Sequence, residues 1–328
     1  MESRVAVDLA HAIAPLTVSV GADDTLFAIV ADAPVVLIGE STHGTYEFAR
    51  ARAEITKRLI EDRGCTAVCI EDDWPDAYRV NRYVRGSCDD EDAAASLGGF
   101  KRFPAWLWRN RETVDFIEWL REYNGTAAKN GKPGVSFYGL DLYCTHACLD
   151  AAHRDPSLDQ PASTWVARDR HMLDTLQELR RHSSAREDAN KLVVWTHNGT
   201  TLGALARRHF GDDAVSIGFT TYSGWVTAAA HWRAPAERTR IVPALGDSYE
   251  YLFHSMNVAR FLLPLRPHRP KLAGLPSQAR ERAIGAVYRP RSELASHYFT
   301  ARLLDQFDAV YHFDVTRALE PLDRGERA

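Results

Sequence analysis

Long apolar runs are missing from this chain. No stretch approaches the roughly 18 consecutive apolar residues that a membrane helix needs, so a membrane is not an expected partner. A surplus of either charge is missing too: 40 Lys and Arg stand against 44 Asp and Glu, a net charge of −4. Without a basic stripe the chain has no electrostatic footprint for nucleic acid, and none is expected to bind. The opening residues, MESRVAVDLAHAIAPL, lack the basic segment and continuous apolar segment of a secretory leader. Cysteine is sparse, 5 in 328 residues. An odd number without an export signal fits reduced thiols in the cytoplasm better than a disulfide framework. Familiar catalytic signatures are also lacking. YSGW at 222–225 carries a serine but not the framing glycines of the G-x-S-x-G elbow. There is no phosphate-cradling G-x-x-x-x-G-K-[ST] and no H-E-x-x-H. Serine hydrolases and P-loop enzymes are therefore poor readings.

What is present is a strand–helix alternation. The chain is 45% hydrophobic, enough for a sizeable core, and its 8 tryptophans exceed what a minimal core requires. APVVLIGE ends in Glu40, CTAVCIEDD carries Glu71, GVSFYGLDLY carries Asp141 and KLVVWTHNG carries His197. Each segment is short, rich in β-branched or aromatic residues and bounded by turn formers, which predicts a strand. Near-continuous apolar runs predict burial on both faces, as in a parallel sheet. DAVSIGFTTYSG, RAIGAVYRP and FDAVYHFD read as further strands, and helical patterns cover 46–63, 74–84, 111–123, 168–181 and 296–306. Residues 152–164 and the proline-rich 261–278 read as loops. The expected fold is α/β, with a mainly parallel central sheet flanked by helices. No repeat or linker divides the chain, so 1–328 is expected to form a single domain.

Ligands of such sheets bind at the carboxyl ends of the strands. One polar residue there marks only the chain leaving the core. Glu40, Glu71, Asp141 and His197, from four strands, would converge on one edge. His43 follows just past the first of these ends. A histidine titrating near neutral pH can take a proton from water and return it. A neighbouring carboxylate, Glu40 or Glu71, can fix its tautomer and stabilise the imidazolium. Arg52, further along the next helix, could orient a carboxylate or an oxyanion through its forked donors. The same turn also reads as a plain helix start, with Ser41 or Thr42 as N-cap, Glu47 in the first turn and His43 merely exposed. Two carboxylates and two histidines would also suit zinc or manganese, so a divalent metal stays open as the one cofactor to weigh, although no compact ligand spacing supports it. Cys65 and Cys69 read as core filler, and Cys144 and Cys148, flanking His146, read the same way.

The block IGESTHGTYEFARARAEITKRLIEDRGCTAVCIEDDWPDAYRVNRYVRG resembles the N-terminal signature of the erythromycin esterase family. FPAWLWRN, FYGLDLY, RDRHMLDTL, VVWTHN, IGFTTYSGWVTAA and SHYFTARLLDQFDAVYHFDVTRALEPL extend the resemblance over nearly the whole chain. It implies an α/β hydrolytic scaffold in which a histidine activates water with no covalent enzyme intermediate. His43 matches that general base, Glu40, Arg52 and Glu71 match site positions around it, and His197 matches the first histidine of an H-N-x-H motif. Characterised members open macrolide lactones, which implies a small-molecule ester or lactone substrate and a setting in antibiotic resistance or natural-product biosynthesis. Two departures stand out. Thr200 occupies the place of the second histidine, and only 143–166 stand where the family carries a long helical insertion. Threonine does not titrate near neutral pH, so its acid–base duty must move elsewhere, with His297 or His254 as candidates. Arg52, Asp141 and His297 are expected to contact substrate. A cleft left open by the missing insertion invites a homodimer. The alternatives are a biosynthetic enzyme performing dehydration, cyclisation or acyl transfer with the same base, and a catalytically silent small-molecule binder.

Overall fold

The computed structural model describes residues 9–17, 19–142, 161–182, 190–199 and 201–323, with the backbone alone for 161–166, 182 and 273. In chain order the strands are β1 (Ala14–Pro15), β2 (Val35–Ile38), β3 (Ala67–Asp73), β4 (Ser136–Asp141), β5 (Leu192–Trp195), β6 (Ala214–Ala229), β7 (Ala236–Ile241), β8 (Arg260–Pro264), β9 (Ala279–Arg282), β10 (Tyr298–Ala301) and β11 (Ala309–Thr316). They form a 9-stranded sheet in the order β1-β8-β11-β6-β2-β5-β3-β4, with β7 paired to β6 beside it, and a separate β10-β9 ribbon. From β11 through β6, β2, β5 and β3 to β4 every pairing is parallel. β1, β8 and β7 join antiparallel.

Alternation along the central strands explains the layers. Val36, Ile38, Val68, Ile70, Val193 and Trp195 point to one face and pack in one core with Phe48, Ile55 and Leu59 of the Tyr46–Arg63 helix and Phe116, Ile117 and Leu120 of the Arg111–Lys129 helix. Val35, Leu37, Ala67, Cys69, Leu192 and Val194 point the other way, onto Met172, Leu173 and Leu176 of the Pro161–His182 helix and Leu202 and Ala206 of the Leu202–Phe210 helix. Both faces are covered, which is why the strands read as unbroken apolar runs. Cys65 and Cys69 are buried in these cores, and burial pushes the Cys65 thiol up to about 12. Cys144, His146 and Cys148 lie outside the described residues. Among the described residues no helix is long and apolar enough to cross a membrane.

Of the stretch read as a loop over 152–164, 152–160 lie outside the described residues and 161–164 open the Pro161–His182 helix. Three further expectations need correction. RAIGAVYRP does not form a strand: β9 ends at Arg282, and the apolar stretch after it crosses the sheet edge through single bridges, Thr42 to Ile284 and Ala229 to Val287. The segment 296–306 is not one helix, because Tyr298–Ala301 pairs with β9 and splits it into two short turns of helix. The proline-rich 261–278 is not all connection, since Phe261–Pro264 belongs to β8, laid against β11. In each case apolar residues were available to two kinds of element, and tertiary pairing decided between them.

The turn after β2 has a tight fit. Gly44 accepts backbone hydrogen bonds from Thr227 and Leu319, and a Cβ on it would meet the Thr227 carbonyl oxygen at 1.8 Å. Backbone cannot swing aside as a flexible side chain can. Gly44→Ala is therefore expected to destabilise the fold by at least about 1–3 kcal/mol, the usual range for overpacking. A melting temperature equal to wild type would contradict this fit.

Candidate functional site

Strand register assembles the site. Ile38 pairs with Trp195, and Trp195 with Ile70. The next residues along each strand therefore leave the sheet at one level: Glu40 after β2, His197 after β5 and Glu71 within β3, with Asp141 at the end of neighbouring β4. The ladder continues past the strands. Gly39 donates to the Ile217 carbonyl, Ser41 to the Phe219 carbonyl, Thr196 to the Ile38 carbonyl and Asn198 to the Glu40 carbonyl, at 2.7–3.1 Å. The backbone carrying these side chains is held by the sheet itself.

Glu40 and His43 form a pair. His43 Nδ1 lies 2.8 Å from Glu40 Oε1, and Arg52 Nη1 lies 3.0 Å from Glu40 Oε2. The second contact follows from helix geometry, since Arg52 projects from the Tyr46–Arg63 helix back toward the strand end. Its guanidinium lies over the Trp195 ring at 4.7 Å and near the Trp108 ring at 5.6 Å. A carboxylate gripped on both oxygens holds His43 with a proton on Nδ1 and leaves Nε2 as the basic nitrogen. Of the plain helix-start reading, Glu47 does stand in the first turn, but the N-cap is Thr45 and not Ser41 or Thr42; Thr45 makes no side-chain cap bond, and its hydroxyl meets that of Thr42.

Glu71 and Asp141 share Arg168. The guanidinium reaches Glu71 Oε1 and Asp141 Oδ2, each at 2.6 Å. Glu71 Oε2 accepts from the Thr196 hydroxyl at 2.9 Å and from the His197 backbone N–H at 3.1 Å. Burial alone would push the Glu71 carboxyl up, but the Arg168 charge, helped by His43 and His197, brings it below its ordinary value. Arg168 sits near the middle of the Pro161–His182 helix, and sequence reasoning missed it as a site residue. The available signal was charge balance: two acids expected at one buried edge need a cation, and RDRHM supplies one at the next element.

His197 meets His43 edge to face, with ring centroids 4.8 Å apart. Its Nδ1 accepts from the Gly199 N–H at 3.0 Å, so its proton sits on Nε2. Burial, and then the neighbouring His43, lower its pKa to about 4. His297 stands in the segment between β9 and β10. There its Nε2 accepts from the Arg289 N–H at 3.0 Å, and its backbone carbonyl accepts from Ala283. His254 pairs with Asp314 at 2.6 Å and stacks on Tyr222. Thr200 lies outside the described residues. Among the described residues no three His, Cys, Asp or Glu side chains gather in a metal-holding arrangement.

The His197 shift sets a pH dependence. Between about 4 and its ordinary 6.5, the unfolded chain takes up a proton that the folded ring refuses. Stability is therefore lost as pH falls through that window. The contribution is roughly 2 kcal/mol between pH 7 and pH 5. Urea unfolding at both pH values should show a fall in wild type that is smaller by this amount in His197→Gln. Equal falls in the two proteins would contradict a neutral, buried His197.

Comparison with known proteins agrees with this architecture. The erythromycin esterase family model matches residues 60–159 and 149–316, more than half of the chain, and these stretches contain Glu71, Asp141, Arg168 and His197. Glu40, His43 and Arg52 precede them. An erythromycin esterase type II from Escherichia coli is 29% identical over 114 residues, 35% of this chain and 25% of that protein, so the match spans a quarter of the relative's length. In fold, the chain is similar to the crystal structure of a succinoglycan biosynthesis protein, with a TM-score of 0.76 and 16% identity over 98% of both chains. A Bacillus cereus protein has a TM-score of 0.72 and 17% identity, covering 98% of this chain and 99% of that one. A mutant of the erythromycin esterase EreC in its open conformation has a TM-score of 0.58 and 14% identity, covering 92% and 95%. At these identities the solved structures share the α/β fold alone. The chain belongs to the erythromycin esterase family.

Proposed function

We propose that this protein hydrolyses an ester or lactone with a water molecule activated by His43. The observation that carries the reading is the Glu40–His43 pair, whose 2.8 Å contact occupies Nδ1 and leaves Nε2 to act as base. In the step, Nε2 takes a proton from water as the oxygen adds to the carbonyl carbon. The proton then passes to the departing alkoxide, giving acid and alcohol. Glu40 stabilises the imidazolium, and Arg52 keeps Glu40 in place. Arg52 pairs with Glu40, and Arg168 with both Glu71 and Asp141. His197, kept neutral by burial, neither competes for the proton nor repels the imidazolium. No covalent enzyme intermediate is invoked.

The test is mass spectrometry of a macrolide lactone, then a panel of smaller esters, after incubation with wild type and with His43→Ala. A product heavier by one water in wild type alone supports hydrolysis. A His43-dependent product with no added water would replace it with dehydration, cyclisation or acyl transfer on the same base. Turnover that is independent of His43 would refute both.

A further inference from the structure

We infer that Glu281 is a positioning residue of the site, acting through Asn198 on the turn that carries Glu40 and His43. This deepens the hydrolase reading and rests on it. The geometry runs through two connections from one segment. Glu281, at 0% exposure on β9, accepts from Asn198 Nδ2 at 3.0 Å. The same Nδ2 donates to the Phe219 carbonyl at 3.0 Å, and the Asn198 backbone N–H donates to the Glu40 carbonyl at 2.9 Å. Three residues on, Ile284 donates to the Ser41 carbonyl at 2.8 Å and accepts from the His43 N–H at 3.1 Å. Residues 281–284 thus strap the turn on both sides of its reacting groups, by side chain behind Glu40 and by backbone at His43.

The strap has its own anchor. Arg282, also at 0% exposure, donates to the carbonyls of Thr221, Tyr222 and Val242 and pairs with Glu293 at 3.0 Å. Such a buried guanidinium makes the segment a fixed point, so a hydrogen bond from Glu281 transmits position rather than following its partner. Gly39 shows how closely that partner fits: a Cβ there would meet Asn198 Oδ1 at 2.3 Å. Burial, and then the charge of Glu250, push the Glu281 carboxyl well above its ordinary range, against the pull of Asn198 and Gln306. A neutral carboxyl is mimicked by glutamine in shape and in its accepting oxygen. Methionine keeps the length and loses the acceptor.

The experiment compares kcat and KM of wild type, Glu281→Gln and Glu281→Met on an ester or lactone whose turnover requires His43. Glu281→Gln is expected within about twofold of wild type. Glu281→Met is expected to lose roughly tenfold to a hundredfold in kcat with KM little changed, as small misplacements of a reacting group do. Should the methionine variant not fold, Asn198→Ser removes the same bond from the other side and is expected to show the same kcat loss. Full kcat in the variant lacking the bond overturns the inference, and so does a glutamine variant as impaired as methionine. Absence of His43-dependent turnover in wild type would instead be a failure of the hydrolase reading, seen before any variant is compared.

Discussion

His43→Ala is expected to lower kcat/KM by roughly 10²–10⁴, the range associated with loss of a positioned general base. The fold should barely register the change. The His43 side chain is 20% exposed, and the side-chain hydrogen bond it loses is to Glu40, which keeps Arg52 at 3.0 Å. Activity should therefore collapse while the melting curve stays close to wild type. This separation matters because neighbouring substitutions mix the two effects: Glu40 is buried and paired, so truncating it would leave Arg52 buried without its carboxylate. The measurement is steady-state kinetics beside a thermal melt. Retained activity in a folded His43→Ala protein would remove the base from the account. A destabilised one would recast His43 as a structural residue.

Arg168→Met should have the largest effect on stability, a loss of about 3–5 kcal/mol, the usual consequence of removing one partner from a buried ion pair. Arg168 contacts two carboxylates at 2.6 Å, and the side chains of Arg168, Glu71 and Asp141 are 9%, 11% and 2% exposed. Without the shared cation, burial and mutual repulsion would drive one carboxyl to hold a proton. The Glu71 carboxyl, now held below its ordinary value, would rise. The sign against pH follows. In the variant the folded state binds a proton that the unfolded chain releases, so its deficit should widen as pH rises and shrink in mild acid. Urea denaturation at two pH values reads both quantities. Adding Asp141→Asn to Arg168→Met should recover part of the loss by removing one of the stranded charges. A single variant as stable as wild type, or a double variant worse than the single, would contradict a cation shared by both acids.

How much of this was legible in the sequence differs between elements. The parallel centre was readable because VVLI and LVVW are buried on both faces and leave no helical alternative over so short a length. The alignment of Glu40, Glu71, Asp141 and His197 on one edge followed from their places at the ends of such strands. The segment after β9 was not readable in the same way. AIGAV has the composition of a strand, yet it serves as a strap that makes single bridges across the sheet edge. Its role depends on where Ser41 and His43 present backbone groups, which lies far away in sequence. Arg168 was hidden for a related reason. On a helical pattern a charged residue reads as solvated surface by default, and only packing of that helix against β4 turns it inward. Glu281 gave still less signal, since in ARER its neighbours suggest an exposed edge. Burial of Glu281 and Arg282 comes from their packing against Glu250 and Glu293 and the middle of β6.

The most direct test of the central claim follows a single turnover in water enriched in heavy oxygen. The substrate is whichever ester or lactone wild type opens, and both product and intact protein are weighed over time. Direct attack by water activated at His43 predicts one heavy oxygen in the product acid and no change in protein mass at any point in the turnover. A transient increase in protein mass equal to an acyl group would show that a side chain attacks first, and would contradict the account.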